Sequence, residues 1–409
     1  MNELVDTVII GGGQAGLAMS YHLSQACREH IILERARVAE NWRSARWDSL
    51  VFQFPSWCIK LPGYKFDDGN PDGFAPKDAV AAFIEMYAVK TNAPMRCGVD
   101  AKMLRHDSRS GRFSIETSAG QIRALNVVVA TGSYHRPIIP DFSANLPAHV
   151  MQVHSRDYKN PEQLPPGAVL IVGSGASGVQ IAEELYESGR TVHLSVGRHD
   201  KAPRRYRGKD LYWWFDVLGI WERPLDLQPE LRSNRILISG AGGGHDIDLR
   251  QFAANGIALH GKLNAVEDSR LFFASDMEDN LRRGESWFSP YKARMDAHAE
   301  IHGLELPSDD KWNRSSNTSA LDRQKDAALE LSTNAIAAIV WAGGFKYDFN
   351  WIALPVFDDR GAPIMNRGVT ACRGLYFLGL RRTHTIRSGL LPGVGDDAAY
   401  LAQHIALRP

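Results

Sequence analysis

Two glycine-rich stretches have the residue types and spacing to do chemistry. Gly11-Gly12-Gly13-Gln14-Ala15-Gly16 follows one compact apolar run, and Gly173-Ser174-Gly175-Ala176-Ser177-Gly178 follows another. In a G-x-G-x-x-G turn the first glycine permits the tight bend and the second lets the backbone approach a pyrophosphate. The third lets the following helix pack closely on the strand. N–H groups left free at the helix start, together with the helix dipole, hold the phosphates. One such turn is weak evidence, because most glycine turns mark only a bend. Here a helical pattern opens at Gln14 and Ala15, and Glu34 stands 23 positions after Gly11. That is where a carboxylate accepts hydrogen bonds from a ribose 2′-hydroxyl.

The second turn repeats the spacing, with Gly173, Gly175, Ser177 and Gly178, but not the acid. The equivalent position is Val196, followed by Arg198, Lys201, Arg204, Arg205, Arg207 and Lys209. An uncharged strand end beside an arginine fits a 2′-phosphate, hence NADPH rather than NADH. Arg198 is the first candidate to hold that phosphate and Lys201 the second. The bland alternative for the run is a solvated basic loop.

Positioning these turns requires two β-α-β units. Residues 5–10 read as a strand, 14–27 as a helix and 31–34 as a strand. Residues 168–172, 176–187 and 191–196 repeat the order, which implies parallel sheets. A further apolar strand, 335–341, ends in Ala342-Gly343-Gly344-Phe345 and echoes residues 127–130 followed by Thr131-Gly132-Ser133. The reading is an α/β chain with two Rossmann-like dinucleotide-binding domains, the second inserted in the first. Residues 1–165 and 332–409 form one, and residues 166–331 the other. The proline-rich stretch 160–167 marks the boundary. The charged segment 276–325 reads as helical or loop-like.

Composition narrows the function classes. With 47 basic and 47 acidic residues, the chain is not a general nucleic-acid binder. The four cysteines (Cys27, Cys58, Cys97 and Cys372) are scattered, as expected of free thiols in a reducing compartment, with no metal site. The acidic N-terminus is unlike a signal peptide, and no apolar run reaches membrane-spanning length, so a cytoplasmic location is expected. Both a monomer and a homodimer are compatible with the sequence. Tyr212-Trp213-Trp214-Phe215 with Trp221 could line an apolar pocket or simply fill a core.

Taken together, the sequence resembles the flavin-containing monooxygenases, nearest their short bacterial and plant YUCCA-type members. The resemblance is carried by the first glycine turn with Glu34, Glu40-Asn41-Trp42, Asp48-Ser49-Leu50 leading to Pro55, and Ala130-Thr131-Gly132. The second turn, Ala342-Gly343-Gly344-Phe345, Gly374-Leu375-Tyr376-Phe377-Leu378-Gly379 and Arg387-Ser388-Gly389-Leu390-Leu391 complete it. It implies FAD at the first turn and NADPH at the second. Trp42, Thr131, Gly132, Gly343, Leu390 and Leu391 join the cofactor-binding set. It further implies O2 activation as a flavin C4a-hydroperoxide that oxygenates a small organic substrate at nitrogen, sulfur or a carbonyl or 2-oxo-acid carbon.

Two departures stand out. The family's F-x-G-x-x-x-H-x-x-x-(Y/F) fingerprint keeps His154 and Tyr158, but Ala148 and Val150 replace its Phe and Gly. Where many members carry an asparagine facing the flavin, this chain has Gln53, which keeps the carboxamide and becomes the candidate catalytic residue. Arg381, Arg382 and Arg387 could support an oxyanion or contact FAD. The rival readings are an NADPH oxidase releasing hydrogen peroxide, a disulfide reductase lacking its cysteine pair, and a non-catalytic NADP-sensing flavoprotein.

Overall fold

The computed structural model describes residues 3–233, 235–308 and 328–407. Strand β1 (Glu3–Ile10), helix α1 (Gln14–Gln25) and strand β2 (His30–Glu34) form the first β-α-β unit, with β1 and β2 parallel. Val8 and Ile9 of β1 are fully buried. Such two-faced apolarity suits a central parallel strand covered on both sides. Helices α2 (Glu40–Ser44) and α3 (Lys77–Lys90) lead to β3 (Met95–Cys97), which pairs parallel with β2. An antiparallel excursion through β4 (Ala101–Asp107) and β5 (Arg112–Thr117) returns along β6 (Gly120–Val129). Strand β6 lies parallel beside β1.

The chain then builds a second sheet from β7 (Met151–His154), β8 (Ala168–Val172) and, after helix α4 (Ala176–Glu187), β9 (Val192–Ser195). Helices α5 (Leu211–Val217) and α6 (Leu249–Asn255) precede β10 (Ala258–His260). A small antiparallel sheet joins β11 (Leu263–Glu267), β12 (Arg270–Phe273) and β13 (Ala328–Glu330). The charged segment expected over 276–325 contains α7 (Met277–Ser286) and α8 (Ser289–Ile301), and its residues 309–325 lie outside the described residues. Strand β14 (Ile336–Trp341) completes a parallel sheet of order β7-β14-β8-β9-β10. Strand β15 (Leu375–Phe377) rejoins the first sheet beside β6, and α9 (Val394–Ala406) packs on α1.

This pairing corrects the expected boundaries at 165/166 and 331/332, which would cut through the second sheet. Strand β7 precedes the first of them. Strand β14 was expected to lead back into the first unit, yet it pairs with β8 and β7. Ala338, Ile339 and Val340 have no exposed surface, so the strand needs cover on both faces, and a central position provides it. The chain changes sheets after Val129 and again after Trp341. Just beyond these points, Arg136–Pro137 and Phe345–Lys346 pair as an antiparallel ribbon.

Candidate functional site

At the first turn, Gly11 has φ +119°, and a methyl there would sit 2.4 Å from the Ala130 carbonyl oxygen. A methyl on Gly16 would sit 1.9 Å from the Gly11 carbonyl oxygen, so helix and turn touch backbone to backbone. The α-carbon of Gly13, by contrast, faces open space. This is a cradle that a side chain would fill and a diphosphate could enter. Glu34 at the end of β2 is held in place: Oε2 accepts from the Gly12 N–H at 2.7 Å and Oε1 from the Ala36 N–H at 2.9 Å. A carboxylate offers about four acceptor positions, so two remain for a ribose.

Gln14 gathers distant segments at the start of α1. Its Nε2 donates to the Gly389 carbonyl at 2.9 Å, and its Oε1 accepts from Trp42 Nε1 at 3.3 Å. Leu390 and Leu391 follow directly, Leu391 buried in the same core as Ala15. Thr131 and Gly132 continue from Ala130 on the opposite wall, where the Thr131 hydroxyl lies 3.1 Å from His135 Nε2. The segments of Gln14 and Ala15, Trp42, Thr131 and Gly132, and Leu390 and Leu391 thus meet around the first turn, although the sequence spreads them over more than three hundred positions.

The second turn repeats this geometry. Gly173 has φ +113°, and a methyl there would lie 2.7 Å from the Ala342 carbonyl oxygen. A methyl on Gly178 would lie 1.8 Å from the Gly173 carbonyl oxygen, whereas Gly175 is open. Gly343, next to Ala342, therefore belongs to the second turn, as Thr131 does to the first. Ser177 lies in the first turn of α4 and is partly exposed. The Ser174 hydroxyl accepts from the Gly197 N–H at 3.0 Å, which fixes the strand end next to Arg198.

The basic run separates into individual tasks. Arg198 is exposed and has no ion pair among the described residues. Lys201 instead pairs with Asp248 at 2.7 Å, while the same carboxylate caps α6 by accepting from the Arg250 and Gln251 N–H groups. Arg204 is buried against Asp210 at 2.6 Å and donates to the Gln53 carbonyl. Arg205 donates to the carbonyls of Gly243 and Gly244, and Arg207 pairs with Asp296. Lys209 lies over the Trp213 ring.

Gln53 sits between Phe52 and Phe54, both buried, and its side chain lies against the Tyr212 hydroxyl. The Tyr212 ring lies tilted 4.4 Å from Phe54 and edge-on 5.3 Å from Trp221. Burial raises the Tyr212 pKa well above its ordinary value, so the hydroxyl stays protonated. Trp214, Phe215 and Trp221 are buried in the main core, so the aromatic cluster is packing rather than an open pocket. Arg387 pairs with Asp396 at 2.7 Å and Glu222 at 3.3 Å. The Arg381 side chain is exposed and its backbone N–H donates to Ser133 Oγ. Arg382 is half-buried, and desolvation with the adjacent Arg381 charge lowers its pKa to about 10.

His154 and Tyr158 brace the region between the sheets. His154 Nδ1 accepts from the Arg156 N–H at 3.1 Å, so Nε2 must carry the proton toward the Gly344 carbonyl at 3.1 Å. Burial holds its pKa below the usual histidine value. The Tyr158 hydroxyl donates to Glu184 Oε2 at 2.7 Å, and Ser49 donates to the other oxygen of that carboxylate. Glu184 thus ties the segment after α2 to α4, a link with no local signal in the sequence. His135 also went unmarked: its Nδ1 accepts from the Asp348 N–H at 3.0 Å, joining the two crossings.

Comparison with known proteins agrees with this architecture. Residues 8–210 match the family described as pyridine nucleotide-disulphide oxidoreductase. The chain is 34% identical over 408 residues to an uncharacterized oxidoreductase, CzcO-like, of Geobacillus kaustophilus (strain HTA426), covering 99% of both chains. It is 30% identical over 191 residues to the indole-3-pyruvate monooxygenase YUCCA1 of Oryza sativa subsp. japonica, covering 46% of this chain and 47% of that one. Its fold matches a flavin-containing monooxygenase from Stenotrophomonas maltophilia with a TM-score of 0.67 at 18% identity, over 98% of each chain. With the fold shared and the relationship spanning the whole length, this chain belongs to the CzcO-like oxidoreductases.

Proposed function

We propose that this oxidoreductase is an FAD-containing, NADPH-dependent monooxygenase acting on a small organic substrate. In this reading the first β-α-β unit and the returning C-terminal segment hold FAD, and the inserted sheet from β7 to β14 holds NADPH. The observation that carries it is the paired cradle. Both turns close backbone on backbone at their first and third glycines and stay open at the second, Gly13 and Gly175. FAD supplies hydride acceptance and reactivity toward O2 when bound.

The protein's own residues then do the positioning. Glu34, already oriented by the Gly12 and Ala36 N–H groups, takes the FAD ribose. Gln14 holds the Trp42 and Gly389–Leu391 walls together around the cofactor. At the second turn, Arg198 is the cation of the basic run left facing solvent at the strand end, which suits a 2′-phosphate. Lys201 is already paired with Asp248. Gln53 presents its carboxamide near Tyr212 and remains the candidate for contact with the reacting ring. The buried aromatic walls around it keep water out, as an oxygenating site requires.

The test is anaerobic reduction by NADPH followed by rapid mixing with oxygenated buffer, with the visible spectrum followed throughout. Bleaching, then a transient near-ultraviolet band before oxidised flavin returns, is the expected result. One-step reoxidation with stoichiometric peroxide, in the presence as well as the absence of amines, sulfides and 2-oxo acids, would point to an oxidase. Failure of NADPH to bleach the flavin would remove the proposal.

A further inference from the structure

Arg46 lies where the two crossings meet, and no ion pair accounts for its charge. Its guanidinium sits 5.5 Å from the Trp42 ring centroid and 5.0 Å from that of Tyr134. Among the described residues its Nη1 donates to the carbonyl of its neighbour Ala45, at 2.7 Å. Arg156 stands close by, donating to the His135 carbonyl at 3.5 Å. Among the described residues neither arginine has an ion pair. Burial and the nearby Arg156 cation lower the Arg46 pKa, and the Tyr134 hydroxyl opposes them. Lys159 adds a third positive charge nearby, bound to the carbonyls of Ser44 and Arg46.

Two cations brought together without a counter-ion cost free energy unless an anion joins them. Several contacts fix where that anion would sit. Trp42 is tied to Gln14 at the first turn. Tyr134 follows Gly132 by two residues. Arg156 follows His154, whose ring holds the Gly344 carbonyl at the second crossing. The Tyr134 ring also packs 5.0 Å from Phe345. The pair therefore faces the gap outside the carboxyl ends of both sheets, which is where ligands of open α/β sheets bind.

We propose that Arg46 and Arg156 form an oxyanion subsite between the two turns. It takes either a phosphate of the dinucleotide reaching across from the second turn or a carboxylate of the molecule being oxidised. The inference rests on the reading of the cleft as a two-cofactor site. Planar guanidinium donors suit both anions, and the ring faces hold Arg46 extended so that little side-chain entropy is lost on binding.

The experiment is calorimetric titration of the full chain with inorganic pyrophosphate, NADP⁺ and pyruvate, comparing wild type with Arg46→Met, Arg46→Lys and Arg156→Met. Loss of a charge-assisted bond should weaken binding about 10- to 100-fold in the methionine variants. Arg46→Lys, which keeps the charge, should recover part of the loss. Weakened pyrophosphate and NADP⁺ would identify the dinucleotide phosphate as the anion, and weakened pyruvate alone would identify a substrate carboxylate. If Arg46→Met unfolds, Arg156→Met, which leaves the ring stack intact, decides. Unchanged affinity for all three ligands in folded variants, or no anion binding by wild type, would overturn the subsite. The pyrophosphate and pyruvate arms need neither flavin nor nicotinamide. They can therefore succeed where NADPH fails to bleach the flavin, and fail where it does not.

Discussion

The two glycine turns have the same backbone and different strand ends. Gly11 and Gly173 bend at φ +119° and +113°, and Gly16 and Gly178 each press on the carbonyl of their own first glycine. Each turn also leans on its crossing, Ala130 in one case and Ala342 in the other. At the end of the second strand the likeness stops. The first unit has Glu34 locked by two N–H groups, and the second has Val196 and Gly197, with the Ser174 hydroxyl in contact and Arg198 in solvent. A common scaffold thus delivers the same open turn twice, and in the proposed function the side chain at the strand end sets which ribose each prefers.

The most severe way to break the likeness is to fill the third glycine. Gly16→Ala and Gly178→Ala should each cost about 3 kcal/mol or more, because the overlap is with backbone that cannot step aside. Gly16→Ala should yield colourless, poorly folded protein by absorbance and thermal melting. Gly13→Ala and Gly175→Ala provide the contrast. Their folds should melt as wild type in the absence of cofactor, while Gly13→Ala loses flavin and Gly175→Ala loses reduction by NADPH. Next in size is Glu34→Gln, which should weaken FAD about 10- to 100-fold in titrations of apoprotein and leave NADP⁺ affinity unchanged. Arg198→Ala should raise the KM for NADPH about tenfold and leave that for NADH alone, measured by steady-state kinetics.

A further contrast comes from pH. In the second sheet His193 Nδ1 lies 3.0 Å from His260 Nε2, and burial lowers both pKa values to about 4. Below pH about 6.5 the unfolded chain takes up protons that the folded pair refuses. Stability should therefore be level above that pH. It should then fall by up to about 2.7 kcal/mol per pH unit, about 1.4 for each histidine, until about 4, where the folded pair also titrates. Hydrogen exchange at β9 and β10 would show the loss first. The smallest effect is expected from Lys201→Ala. Its partly exposed bridge to Asp248 should contribute less than about 1 kcal/mol, and the KM for NADPH should not move.

The expected strands and helices of both β-α-β units are where local pattern put them, to within two residues at each end. Periodicity and glycine spacing are properties of adjacent residues, and a short apolar run has few other places to go. Strand β14 shows the limit. Its sequence identifies a buried strand but not which sheet receives it, because both sheets could cover two apolar faces. The same holds for the basic run. Arg198, Lys201, Arg204 and Arg207 look alike in sequence, and only the placement of Asp248, Asp210 and Asp296 separates the exposed cation from the paired ones. Arg46 carried no local signal at all, since the rings on either side of it come from segments more than ninety positions apart.

By itself, then, the sequence determined two parallel β-α-β units, the conformation of their turns and the difference between Glu34 and Arg198. Each depends on interactions spanning a few tens of residues at most. Tertiary structure decided which sheet takes β14, which charges are already satisfied, and that Trp42, Gly389 and Leu391 gather at the first turn. Those outcomes depend on long-range burial and charge pairing, in which chemically equivalent side chains are distinguished only by what the folded chain sets beside them.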